Sequence, residues 1–207
     1  MPFFVQLTAL QFLSIVQIHH LVGHQHKINC MRICPDGNDV ITGSADRSIR
    51  VWNIARNTYK QTTTLRHSST TTCLDISTDC NTTVSGHMDG SLRFWDLRSG
   101  DRTAEITGLH SGGVTSVQFN PVNKTYLLSN GKDSSLKITD VRMCSAVNTL
   151  QHRDFRTLLN WSGSCYSPDG EDGTFLFIFF FCCVLLHDIH DSFPLTNDFT
   201  TMNPNFI

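Results

Sequence analysis

One pattern recurs along this chain at a fixed period, and few folds can accommodate it. Asp46, Asp89 and Asp133 lie 43 and 44 residues apart, and Trp52, Trp95 and Thr139 keep the same spacing. His24, His67 and His110 are each 43 apart, and His152 follows 42 later. The central copy, residues 85–98, shows the local logic. An apolar run ends at Ser85-Gly86, Asp89-Gly90 makes a tight turn, and Leu92, Phe94 and Leu97 resume an extended apolar strand. Asp-Gly between two such runs predicts a hairpin, because Gly tolerates the positive φ that the turn needs. Residues 42–53 and 129–140 repeat this copy almost position for position.

A period of ~40–45 residues with Gly-His at one end and Trp-Asp at the other is the WD-repeat signature, in which each repeat supplies one four-stranded propeller blade. The fold class is therefore all-β: a WD-repeat β-propeller, incomplete, with about three complete four-stranded blades plus flanking strands. Blade one is expected over 28–66, with strands near 28–33, 38–43, 48–53 and 59–65 and a first turn at Pro35-Asp36-Gly37. Blade two should run over 71–108, turning at 78–81, and blade three over 114–151, turning at 120–123. A fourth repeat starts at His152 and carries an insertion of about five residues before Trp161. It turns at Ser167-Pro168-Asp169-Gly170, and beyond this no hairpin Asp or Trp-Asp ending follows.

The recurring polar residues have a structural job in WD-repeat propellers, which this chain resembles. A His before the first strand, a Ser or Thr in the second, an Asp in the hairpin turn and a Trp in the third form one hydrogen-bonded network. The positions here are His24, Thr42, Asp46 and Trp52; then His67, Ser85, Asp89 and Trp95; then His110, Ser129 and Asp133, with Thr139 where Trp would stand. Buried polar groups must be paired, and a satisfied network rigidifies a blade. His, Ser and Asp together also suggest a hydrolase triad, but a triad occurs once in an enzyme, whereas this set recurs in every blade. No nucleophile elbow, phosphate loop or metal motif is found, so neither catalysis nor a cofactor is expected.

A net charge of −2 and a pI near 6.5 argue against general nucleic-acid binding. Eight Cys in 207 residues do not read as a disulfide framework in a chain of this length. Cys30 and Cys73 are 43 apart, and Ser116 stands at the same point of the next repeat, which marks a small buried position. A reducing, intracellular compartment fits free thiols. His19, His20, His24 and His26 lie close in sequence, as do His187, Asp188, His190 and Asp191, but neither set has convincing metal-ligand spacing. Three regions result: an apolar segment over 1–20, read as an outer strand of a preceding blade; the partial propeller over 21–170; and a non-repeat apolar and polar tail over 171–207. Within the tail, residues 175–186 form an uninterrupted apolar run, shorter than the ~18–20 residues a membrane-spanning helix needs. Rich in aromatics and without charge, the run has the profile of a β-aggregation segment.

Residues 85–96 resemble the fifth-blade region of the autophagy-related protein 16 family. So do 127–133 and 136–142, where the missing Trp is itself family-like, and Asn160-Trp161-Ser162 followed by Ser167-Pro168-Asp169-Gly170. The resemblance covers about 21–170 and implies a non-catalytic docking platform in the complex that attaches ubiquitin-like autophagy proteins to phosphatidylethanolamine. It implies protein partners, either autophagy conjugation machinery or cargo-side receptors, a cytoplasmic location, and only indirect contact with membrane. That family carries a helix, a coiled coil and seven blades; no heptad segment is found here, and the blades are about half a ring. A second reading comes from Trp95-Asp96-Leu97-Arg98, which fits the short motif by which some WD-repeat proteins dock onto cullin-type ubiquitin ligases, with Arg98 as the contact. A truncated, non-functional product is a further reading, suggested by the abrupt change of composition near residue 171.

Overall fold

The computed structural model describes residues 4–11, 14–151, 156, 157, 159, 162–166, 174–178 and 182–186. Strands β1 (Phe4–Gln11) and β2 (Ser14–Val22) form an antiparallel pair. Three antiparallel four-stranded meanders follow. The first holds β3 (Ile28–Ile33), β4 (Asp39–Ser44), β5 (Ser48–Asn53) and β6 (Lys60–Arg66), with a short 3-10 turn at Ala55–Asn57. The second holds β7 (Thr71–Ile76), β8 (Thr82–His87), β9 (Leu92–Asp96) and β10 (Arg102–Ile106). The third holds β11 (Val114–Phe119), β12 (Tyr126–Gly131), β13 (Ser135–Asp140) and β14 (Ser145–Leu150). These are the three expected blades, with strand ends within one residue of those read for the first. A three-stranded sheet of β15 (Gly163–Tyr166), β16 (Thr174–Ile178) and β17 (Cys182–Leu186) takes up most of the apolar run in its last two strands. The expected turn at 167–170 and Trp161 lie outside the described residues.

Burial explains the strand compositions. The second strand of each blade is almost wholly buried, since sheets cover both of its faces. It therefore reads as a continuous run of apolar and small residues, such as Leu127-Leu128-Ser129, and not as an alternating one. The fourth strands are less buried than the second: β6 and β10 carry Thr and charge, and β14 is uncharged but exposed at most positions. The apolar core lies between blades. Ile41, Ile49, Val51 and Leu65 of the first blade meet Leu74, Ile76 and Trp95 of the second. Val84, Leu92, Phe94 and Ile106 of the second meet Val114, Val117, Phe119 and Leu127 of the third. Burying each such side chain stabilises by roughly 1.5–3 kcal/mol, so a blade is held chiefly by its neighbours.

Polar bonds add direction to these interfaces. The first strand of every blade shifts register at the same point, between Ile28 and Cys30, Thr71 and Cys73, and Val114 and Ser116. Next to the shift, Asn29 Nδ2 donates to Thr71 O at 2.7 Å and Thr72 Oγ1 to Val114 O at 2.6 Å. Further along, Phe119 N–H donates to Asp75 Oδ2 at 2.8 Å, and Tyr166 N–H to Gln118 Oε1 at 2.7 Å. Ser164 N–H donates to Ser116 Oγ at 2.9 Å. Tyr166 thus takes the place in β15 that Phe119 takes in β11, which aligns β15 with the first strands of the preceding blades.

Candidate functional site

The first and third blades build the same polar arrangement. In the first, His24 sits just before β3, Thr42 in β4, Asp46 in the β4–β5 hairpin turn and Trp52 in β5. His24 Nδ1 lies 2.8 Å from Asp46 Oδ2, and His24 Nε2 lies 2.7 Å from Thr42 Oγ1. Trp52 Nε1 donates to Thr42 Oγ1 at 2.9 Å. Burial lowers the His24 pKa against the opposing pull of Asp46, so the ring is neutral. A carboxylate only accepts, so Nδ1 carries the proton and Nε2 accepts from Thr42. The protons then run one way: indole to hydroxyl, hydroxyl to imidazole, imidazole to carboxylate. Burial opposes the Asp46 charge, yet the Ser48 hydroxyl, the Gln25 N–H and His24 hold its carboxyl well below the usual range.

In the third blade His110 Nδ1 lies 3.0 Å from Asp133 Oδ1, and Nε2 lies 2.9 Å from Ser129 Oγ. The indole is missing. Thr139 stands in its place, fully buried, and its hydroxyl meets no partner among the described residues.

The second blade is wired differently. His67 Nε2 pairs with Thr71 Oγ1 at 2.8 Å and reaches neither Ser85 nor Asp89. Ser85 Oγ instead pairs with His87 Nε2 at 2.8 Å and accepts from Trp95 Nε1 at 2.9 Å. The two imidazoles meet edge to face, 4.4 Å between centroids. Asp89 turns to Arg93, whose Nη2 also reaches Glu105, each at 2.9 Å. The cause is steric. Position 87 corresponds to Ser44 in the first blade and Gly131 in the third, both small. At Gly131 an added Cβ would fall on the His110 ring and close to Asp133. A whole imidazole at 87 therefore fills the space that the entry His uses elsewhere. Comparing Ser44, His87 and Gly131 would have revealed this from sequence. Burial and neighbouring charge lower His67 to about 4 and His87 to about 3, so both are neutral at physiological pH. Gly90 holds the turn at φ +77°, and its carbonyl accepts from His110 N–H at 3.0 Å, which links the second hairpin to the start of the third blade.

Every Ser, His and Asp of these sets bonds to a neighbouring strand or turn, and the hydroxyl residues Thr42, Ser85 and Ser129 are fully buried. The Asp of each Trp-Asp or Thr-Asp ending shapes the next turn: Asp96 Oδ1 accepts from Arg98 N–H at 2.7 Å, and Asp140 Oδ1 from Arg142 N–H at 2.8 Å. The two arginines then differ. Arg142 folds back on Asp140, Nη2 to Oδ2 at 3.1 Å, whereas Arg98 is exposed and its guanidinium meets no acceptor among the described residues.

The family model described as WD domain, G-beta repeat matches residues 15–53, 59–96 and 103–140. The chain belongs to the WD-repeat family. Each WD-repeat match begins in the outer strand of one sheet and ends at the third strand of the next, so sequence repeat and blade are offset by one strand. Protein tipD of Dictyostelium discoideum is 34% identical over 153 residues, 74% of this chain and 25% of its own length. Autophagy-related protein 16 of Arabidopsis thaliana is 34% identical over 154 residues, 74% of this chain and 30% of its own length. This WD-repeat chain therefore spans less than a third of either relative.

Proposed function

We infer that the chain is a non-catalytic protein-interaction scaffold of the autophagy-related protein 16 type. It would serve autophagosome formation through the complex that attaches ubiquitin-like autophagy proteins to phosphatidylethanolamine. The observation that carries this reading is the 34% identity to Autophagy-related protein 16 over 154 residues, 74% of this chain. The burial of Thr42, Ser85 and Ser129 and their bonds to His24, His87 and His110 support a structural and non-catalytic role for these sets. Its partners are conjugation machinery or cargo-side receptors in the cytoplasm, with membranes reached through them; among the described residues no helix is long and apolar enough to cross a membrane. Proximity labelling in starved cells tests this: autophagy proteins should be enriched, and a partner list without them removes the assignment.

The exposed, unengaged Arg98 favours a second reading, docking to a cullin-ligase adaptor through Trp95-Asp96-Leu97-Arg98. Arg98→Ala should leave folding intact and lower co-precipitation of the adaptor. An adaptor that never co-precipitates with the wild type ends this reading.

A further inference from the structure

The first turns of blades one and two have matching backbones but different contents. Gly37 N–H donates to Cys34 O and Cys80 N–H to Ser77 O, so Cys34 corresponds to Ser77, Asp36 to Asp79 and Gly37 to Cys80. In the second turn Ser77 Oγ donates to Asp79, and Lys124 from the third blade approaches Asp79 Oδ2 at 3.9 Å. That junction brings its own cation. At the junction of blades one and two the approaching group is the Cys80 thiol. The Cys34 sulfur, the Cys80 sulfur and an Asp36 carboxylate oxygen all lie within 4.8 Å of one another. Both Asp36 oxygens accept from Asn38, one from its backbone N–H at 3.0 Å and one from its side-chain amide at 2.9 Å, and Asp36 meets no cationic side chain among the described residues.

We propose that Cys34, Cys80 and Asp36 form a binding site for a thiophilic divalent cation, zinc, clamped between blades one and two. Two thiolates and one carboxylate supply three corners of a tetrahedron, and water reaches the fourth past the exposed Asp36 and Gly37. A tetrahedral zinc with ~2.3 Å sulfur bonds holds two sulfurs roughly 3.8 Å apart, so the present spacing closes with small side-chain rotations. Asn38 orients the carboxylate as an outer-shell partner does. Binding forms two Zn–S bonds and one Zn–O bond, and the two thiol protons leave to solvent. Cys80 sits at φ +57°, a conformation that Gly37 adopts at low cost in the preceding turn. A thiol placed at that strained point adds a second polar link to a junction that already carries the Arg32–Asp75 ion pair at 3.2 Å.

The test is titration of the reduced, metal-stripped full chain with cobalt(II), followed by zinc(II). One equivalent of cobalt should raise a thiolate-to-metal charge-transfer band, and zinc should abolish it. Cys80→Gly, which installs the residue used in the preceding turn, should lose the band with an unchanged far-ultraviolet spectrum. Cys34→Ser should also lose it, and Asp36→Asn should shift the titration to higher cobalt. Cys144→Gly, placed at φ +49° away from the site, should keep it. If Cys34→Ser fails to fold, Cys80→Gly alone decides. A wild type without the band, or a band that survives Cys80→Gly, overturns the proposal.

Discussion

His87 Nε2 lies 2.8 Å from Ser85 Oγ, the hydroxyl that the repeat period assigns to His67. The coupling energies should follow the distance. In double-mutant cycles, Ser85 with His87 should show an interaction of about 0.5–1.5 kcal/mol, and Ser85 with His67 close to none. Urea unfolding of the singles and doubles measures both. A larger coupling to His67 would mean that the second blade is wired like the first.

Stability should fall with acid. Folded His67, His87, His24 and His110 have pKa values lowered by burial, while an unfolded His takes up a proton near ~6.5. Below that pH the unfolded chain binds more protons, so stability rises with pH across the window. It is complete above ~6.5 and lost down to about 3–4, where His87 and His67 protonate in the folded state. Asp46, Asp89 and Asp133 are held below their usual range, so they add a further loss below ~4. Asp75, raised by burial, works in the opposite sense. Denaturation midpoints at pH 7.5, 6, 5 and 4 should descend; midpoints level from 7.5 to 5 would contradict the buried neutral histidines.

Thr139→Val should stabilise the third blade by on the order of 1 kcal/mol. It keeps the shape and removes a buried hydroxyl that has no partner. A lower melting temperature for the valine variant would show that the hydroxyl is hydrogen-bonded after all.

Asp75 separates charge from hydrogen bonding. Asp75→Asn keeps an acceptor for Phe119 N–H and gives up an ion pair with Arg32, whose side chain is 51% exposed, so it should cost less than about 1 kcal/mol. Asp75→Ala leaves that N–H buried and unpaired and should cost about 1–3 kcal/mol. Equal costs in thermal unfolding would assign the role to the charge.

Asp89→Ala should destabilise the second blade by about 1–3 kcal/mol, because buried Arg93 loses one of its two carboxylate partners. An unchanged melting point would remove Asp89 from the set of strand-holding residues.

The blades were legible because Asp46, Asp89 and Asp133 must each sit in a hairpin turn and the chain between them can make only four strands. The networks of blades one and three followed from the same spacing. The second did not, because period alone is blind to volume: His67 is in register, but whether it reaches Ser85 depends on the size of residue 87. The Cys34–Cys80 proximity was hidden for a related reason. The two residues occupy different positions of the repeat, Ser77 and Gly37 being their respective equivalents, so they meet only once neighbouring blades are placed side by side. The roles of Asp75 and Gln118 were missed because their bonds go to backbone N–H groups, which leave no mark on the partner's sequence.

Those interblade bonds share a polarity that bears on how the protein is made. From Asn29, Thr72, Asp75, Ser116 and Gln118, the side chain always belongs to the earlier blade and the backbone group to the later one. Translation delivers the earlier blade first, and chains fold from that end as they emerge. Each finished blade thus presents a ready row of side chains to the peptide groups of a nascent strand, whose own apolar side chains complete the shared core. β15, in a repeat without the hairpin Asp and the Trp-Asp ending, is received on Ser116 and Gln118 on the same terms as its predecessors.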